Sequence, residues 1–225
     1  MKPPTSPVTF AKRTLWGWLA LTFIALAYIG GVAADHAMDE VQSEFRRKEK
    51  YFQPIDKPAP DFALTDAEGR AVNLESLRGK IKILHFIYAS CPDVCPLHAD
   101  LLAEVQALTN RGPLKDRVIF LSITTDPARD TPQVLRAYGP VHGLDPANWM
   151  FLTAKPGEPE DKTRRLAQAF GHKFIVTGEG TQVHGIVTHV IDQEGRWRAN
   201  FHGLDFAPTN LVLYLAALNV HAHPP

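Results

Sequence analysis

The two cysteines of this 225-residue chain stand four positions apart, in Cys91-Pro92-Asp93-Val94-Cys95. With no other thiol, a disulfide-stapled fold is excluded and a four-cysteine zinc cluster is impossible. A redox dithiol is usually spaced C-x-x-C, and here one further residue intervenes. The run before the pair, Ile81-Lys82-Ile83-Leu84-His85-Phe86-Ile87-Tyr88, is β-branched and aromatic and reads as a buried strand. After it, Leu97, Leu101, Leu102, Val105 and Leu108 recur at helical spacing. Both thiols thus stand at a strand-to-helix turn, where the positive end of a helix macrodipole lowers thiolate pKa and favours anionic ligation. Pro96 disfavours helical conformation for Cys95, which sets the helix start near Cys95 and leaves Cys91 in the preceding loop. Two soft thiolates suit Cu(I), and a neutral imidazole completes a three-coordinate site. The same placement allows a disulfide, because neighbouring turns bring Cα atoms within the ~4.4–6.8 Å that bridging requires.

Ten histidines compete to supply the imidazole. His85 lies inside the central strand and reads as a satisfied core residue. His98 follows Cys95 by three on the helix and is a candidate ligand. His142, His172 and His202 read as loop or surface residues, and His36, His221 and His223 as stalk and tail. His184 and His189 flank a late strand, Gly185–Ile191. Being five apart, they fall on opposite faces of a regular strand, so at most one points toward the cysteine loop. Periodicity does not choose between them.

Positioning these groups requires a globular body, and 45% hydrophobic with 21% charged residues is an ordinary globular composition. The 24 basic and 24 acidic residues balance, but residues 1–34 hold Lys2, Lys12 and Arg13 and no acid. A slightly acidic body behind a basic tip argues against a nucleic-acid partner and for a membrane-directed N-terminus. Leu15 to Ala34 is an uncharged run of 20 residues, ~30 Å as a helix, which matches a bilayer core. Trp16, Trp18 and Tyr28 suit the interfaces, with Lys12 and Arg13 before the run and Asp35, Asp39 and Glu40 after it. The positive-inside rule then leaves residues 1–14 in the cytoplasm and exports everything beyond the span. A cleaved signal ending at Val32-Ala33-Ala34 is the competing reading, and it exports the body equally. Residues 35–57 read as a stalk and linker, charge-rich to Lys50 and then broken by Pro54 and Pro58, which leaves 58–225 as the domain.

Within the body, Asp61–Leu64 and Ala71–Leu74 predict a hairpin. The strand over 81–88 and a helix over 96–110 follow, then a strand over 118–123 and a helix from Pro132 to Tyr138 behind an Asp130-Thr131 cap. A short strand at 149–152, a helix over 161–170 ended by Gly171, a hairpin over 187–201 and a helix over 207–218 complete the order. Two early β–α crossovers and a late antiparallel hairpin indicate an α/β mixed sheet flanked by helices, the thioredoxin-like arrangement, preceded by one transmembrane helix.

These residues resemble the SCO/SenC family, thioredoxin-like copper proteins that help assemble cytochrome c oxidase. The resemblance spans roughly Ala59 to Leu218. It rests on Cys91-Pro92-Asp93-Val94-Cys95-Pro96, on Ser122-Ile123-Thr124-Thr125-Asp126-Pro127-Ala128-Arg129-Asp130-Thr131-Pro132, and on a histidine upstream of Val190-Ile191-Asp192-Gln193-Glu194-Gly195. It implies Cys91, Cys95 and His184 as copper ligands, His184 standing eight residues before Asp192 and 89 after Cys95; His189 is the runner-up. Val183 stands where the family commonly has aspartate, and Ala89-Ser90 depart from its usual Thr or His. The resemblance also places the loop with Asp126, Arg129 and Asp130 near the metal, although a helix cap with a local Arg–Asp pair explains the same residues.

The implied function is that of a metallochaperone rather than an enzyme. It would be a single-pass protein of the bacterial inner membrane, its domain in the periplasm, passing a copper ion to the dinuclear site of the oxidase's copper-bearing subunit. Other copper chaperones or thioredoxin-like reductants are further partners. The alternative is a thiol–disulfide reductase, with Cys91 and Cys95 as its redox dithiol, that keeps the oxidase cysteines reduced. A peroxiredoxin-type peroxidase fits poorly, since Tyr88 and Pro92 stand three residues before the two cysteines where Ser or Thr is needed.

Overall fold

In the computed structural model the described residues are 36–89, 91, 94–176, 182, 183 and 185–222. The chain divides into two units, Met1–Val41 and Gln42–Pro225. In the first, residues 36–41 are helical; the expected span over 15–34 lies outside the described residues. No helix among the described residues is long and apolar enough to cross a membrane.

The second unit opens on helical residues 42–48 (α1). Then come β1 (Phe52–Pro58), β2 (Ala63–Asp66), β3 (Ala71–Asn73), β4 (Ile81–Ile87), α2 (Val94–Asn110), β5 (Val118–Thr124) and α3 (Pro132–Val141). The remainder is β6 (Trp149–Thr153), α4 (Lys162–Ala169), β7 (Ile175–Val176), β8 (Gln182–Val183), β9 (Val187–Ile191), β10 (Arg196–His202) and α5 (Pro208–Ala222). Eight strands form one mixed sheet in the order β1-β10-β9-β4-β5-β6-β2-β3, and β7 pairs with β8 separately. β4, β5 and β6 run parallel, and every other pairing is antiparallel.

Every residue of β4 and β5 is buried, as an apolar strand covered on both faces demands. Alternation sorts their side chains. Leu84, Phe86, Leu121 and Ile123 join Leu166, Ala167 and Phe170 on the α4 face. Ile87 joins Ala99, Leu135 and Tyr138 on the face covered by α2 and α3.

β1 is a strand the sequence reading missed, because Pro54 and Pro58 had marked it as linker. Both prolines sit on an edge strand paired only with β10, where a missing donor is tolerated, and the register shifts between Pro54 and Lys57. The stretch expected to be a solvated stalk is helical over 36–48, and its second half is anchored. Phe45 is buried with its ring 5.2 Å from that of Tyr214 and 5.8 Å from that of Phe52, and Gln42 Nε2 donates to the carbonyls of Ile55 and Arg198.

At the far end of β4 from the thiols, Lys82 is fully buried and its ammonium donates to the Asp192 carbonyl. Burial pulls it down to about 8, against the pull of Asp192. Asp192 Oδ1 accepts from the amides of Glu194 and Arg196 at 3.1 and 2.8 Å, and Oδ2 pairs with Arg198 at 2.9 Å. This knot closes the β9–β10 turn, where Gly195 takes φ +87°.

Candidate metal centre

Directly after β4, the Tyr88 carbonyl accepts from the Cys91 amide at 3.1 Å, turning the chain toward α2. Cys91 and Cys95 are not joined in a disulfide; they are 7% and 4% exposed, in one small apolar cluster with Tyr88 and Val94. α2 begins earlier than expected, so Cys95 lies inside its first turn rather than at its cap. The first four amides of a helix have no intrahelical acceptor, so Pro96 forfeits no bond there, and the preference of a pre-proline residue for extended backbone is overridden.

The expected lowering of the Cys95 pKa is also overturned. Burial pushes its thiol up to about 12; a backbone hydrogen bond from Tyr88 opposes this, and a hydrogen bond with the Cys91 thiol adds to it. Desolvation in an apolar cluster outweighs the helix end. The Tyr88 hydroxyl, itself pushed up to about 12 by burial and by its hydrogen bond to Cys91, remains a neutral donor.

The loop after β5 braces this turn. Asp130, 1% exposed, accepts at Oδ2 from the Ala89 amide (2.9 Å) and from the Thr124 hydroxyl (2.5 Å), while the Thr125 amide donates to the Ile87 carbonyl at 2.8 Å. Arg129 pairs with Asp126, and Thr131 rather than Asp130 caps α3, accepting from the Val134 amide. Asp130 is thus joined through its side chain directly to the chain leading into the thiols. Its carboxyl is raised, by burial first and with the Thr124 bond opposing.

The histidines sort themselves by partner. His85 Nε2 meets Ser122 Oγ at 2.6 Å, and Trp149 Nε1 donates to the same oxygen at 2.8 Å, so His85 is a core residue as expected. His98 Nε2 meets Thr188 Oγ1 at 2.8 Å, a core contact rather than a free ligand position. His142 pairs with Asp100, and His202 Nε2 donates to Gln53. His172, read as loop or surface, is buried. His189, the runner-up ligand, is fully buried with both ring nitrogens engaged, by His172 at 2.9 Å and Asn200 at 2.8 Å. It lies beside Phe86 and Phe170 on the α4 face, opposite the face that α2 and Cys95 occupy. His184, the chosen ligand, lies outside the described residues, and β9 begins three residues after it. Among the described residues no group of three or more His, Cys, Asp or Glu side chains is arranged to hold a metal.

A thioredoxin-like mixed sheet with a dithiol at the entry to α2 defines a class of thiol proteins built for redox or soft-metal chemistry. Within that class the chain belongs to the SCO1/SenC family, whose model matches residues 52–216. An SCO2-like protein of Rickettsia conorii is 28% identical over 157 residues, covering 69% of this chain and 74% of that one. The structure of Bradyrhizobium japonicum ScoI with copper bound is similar at a TM-score of 0.59 and 29% identity, covering 72% of this chain and 99% of that one. BsSco is described as carrying a disulfide switch and as a member of the Sco family of cytochrome c oxidase assembly proteins. It shares the fold at a TM-score of 0.64 and 20% identity, with 74% and 96% covered.

Proposed function

We propose that this chain is a membrane-anchored copper carrier that binds the ion through Cys91, Cys95 and His184 and hands it to the dinuclear copper site of cytochrome c oxidase. The observation that carries the reading is the setting of the two thiols: adjacent and buried with Tyr88 in one apolar cluster, where burial raises the Cys95 thiol and keeps it uncharged until a cation arrives. An apolar pocket that holds thiols neutral is a poor nucleophile store but a good soft-metal seat, because a bound cation deprotonates its thiol ligands outright. Copper is here the cargo. Two thiolates and one neutral imidazole leave a three-ligand site open to an incoming thiolate of the acceptor, so transfer proceeds by ligand exchange. The copper-bound B. japonicum relative supports the choice of metal. The uncharged run over 15–34 supports an anchor in the inner membrane with the domain in the periplasm.

A thiol–disulfide reductase is the second reading, favoured by the hydrogen bond between the two thiols. Oxidation to a Cys91–Cys95 disulfide would release two protons and two electrons to an acceptor disulfide. A thiol near 12 is almost wholly protonated at pH 7, which slows that reaction and favours the metal reading.

A Cu(I) competition titration on the detergent-solubilised full chain tests the proposal. His184→Ala should weaken binding by more than the roughly 10–100-fold typical of losing an outer-shell group, while both thiols still titrate with a disulfide reagent. Unchanged affinity in that variant refutes the ligand set.

A further inference from the structure

Tyr138 on α3 is 8% exposed, and its hydroxyl is buried without a hydrogen-bond partner. A phenol O–H almost always finds an acceptor when it is taken out of water, because an unpaired one is destabilising. A buried hydroxyl left over by the fold therefore asks what else it serves.

Three elements fix its place. Tyr138 packs in one buried cluster with Ile87 at the end of β4, Ala99 on α2 and Leu135 on α3, and Ala89 lies against the same cluster. Ala99 stands four residues beyond Cys95, one turn along the same side of α2, and Ala89 stands two residues before Cys91. The phenol thus lies under both arms of the dithiol turn. Its ring is held by those of His142 at 4.3 Å and Phe151 at 6.0 Å, which leaves the O–H bond as the part free to rotate.

Burial raises the Tyr138 phenol most, followed by negative charge at Cys95 and Cys91 and, behind them, at Asp100 and Asp130. It is therefore a neutral donor. The two carboxylates are engaged elsewhere: Asp100 Oδ1 with His142 Nδ1 at 2.9 Å, and Asp130 Oδ2 with the Ala89 amide and the Thr124 hydroxyl. Cys91 has a phenol of its own in Tyr88. The Cys95 sulfur is met by the Tyr88 backbone and by the Cys91 thiol. That thiol–thiol contact needs a sulfur-bound proton, and a coordinating thiol is deprotonated outright. Copper therefore removes a partner from Cys95 at the moment its sulfur becomes an anion.

We infer that Tyr138 is a positioning residue for the loaded site: its O–H turns about the C–O bond to face the copper-bound sulfur of Cys95. The inference rests on the copper-binding reading above. Hydroxyl dipoles orient in the local field, and an anionic sulfur is a better acceptor than a neutral thiol. Tyr138 acts through Cys95 and touches no metal.

Three measurements on the full chain in detergent test this. Tyr138→Phe keeps the ring and removes the hydroxyl. Without copper it should unfold at no lower urea concentration than wild type, because no hydrogen bond is lost. It should weaken Cu(I) about three- to tenfold, the effect of one hydrogen bond of ordinary strength. Tyr214→Phe removes another buried phenol, one that donates to the Arg198 carbonyl at 3.3 Å, and should leave Cu(I) affinity unchanged. With tyrosine labelled with carbon-13 at Cζ, the Tyr138 signal, identified by its loss in Tyr138→Phe, should move when Cu(I) is added while that of Tyr214 stays. Wild-type affinity in Tyr138→Phe, an equal loss in Tyr214→Phe, or a stationary Tyr138 signal overturns the inference. So does a copper-free Tyr138→Phe less stable than wild type, which would give the hydroxyl a partner before copper arrives. If the wild-type chain takes up no Cu(I), the copper reading falls and this inference with it; uptake without these effects overturns the inference alone.

Discussion

Removing the Asp130 carboxylate should loosen the dithiol turn without touching either cysteine. In Asp130→Ala the Ala89 amide and the Thr124 hydroxyl lose their shared acceptor at 2.9 and 2.5 Å. Each donor left unsatisfied away from water costs about 1–3 kcal/mol. Part of that sum is recovered because a carboxylate that burial already disfavours is no longer buried. The net loss is about 3 kcal/mol, or roughly 6–12 °C in Tm for a domain of this size. Asp130→Asn keeps an oxygen acceptor and removes the ionisation, so it should lie near wild type. The folded pKa of Asp130 is raised, so its contribution to stability is full below the unfolded value near 4 and is lost as pH rises through the folded one. The stability of Asp130→Asn relative to wild type should therefore rise between pH 4 and 7. Urea unfolding across that range reads the stabilities, and the rate of thiol labelling at pH 8 reads the turn: Asp130→Ala should label faster than wild type, Asp130→Asn at the same rate. Wild-type stability and labelling in Asp130→Ala, or equal damage in both variants, would refute the bracing role.

Two further tests concern the frame. Lys82 is lowered to about 8 by burial, so the folded state gives up its proton before the unfolded one, and its contribution to stability rises with pH from about 8 toward 10.5. The buried Cys95 thiol and the phenols of Tyr88, Tyr138 and Tyr214, all raised by burial, pull the other way in that range, so the Lys82 effect appears as the difference from Lys82→Met, which should be more stable than wild type at pH 7 and lose that advantage by pH 10; a difference curve flat in pH refutes the assignment. Phe45→Ala should cost about 3–5 kcal/mol, because a buried ring between Tyr214 and Phe52 is removed. Chemical denaturation of the full chain measures it, and a change below about 1 kcal/mol would mean that α1 is the solvated stalk after all.

The central strand, the dithiol turn and the closing hairpin were legible because each is written locally: an unbroken β-branched run, two cysteines four apart, and a turn at Glu194-Gly195. The family resemblance added a candidate third ligand, His184, by counting along the chain. The sequence could not show which histidines are already occupied, since their partners come from other elements: Thr188 for His98, Asn200 and His172 for His189. Nor could it assign β1, because proline reads as a breaker until an edge position is known. The thiol pKa was the same kind of problem. The helix end beside Cys95 is visible in sequence, whereas the apolar cover supplied by Tyr88 and the turn exists only once β4, α2 and the Asp130 loop have come together, and burial outweighs the dipole there. By itself, then, the sequence determined which groups are available for chemistry; tertiary packing decided which are charged, which are spoken for and which remain to bind.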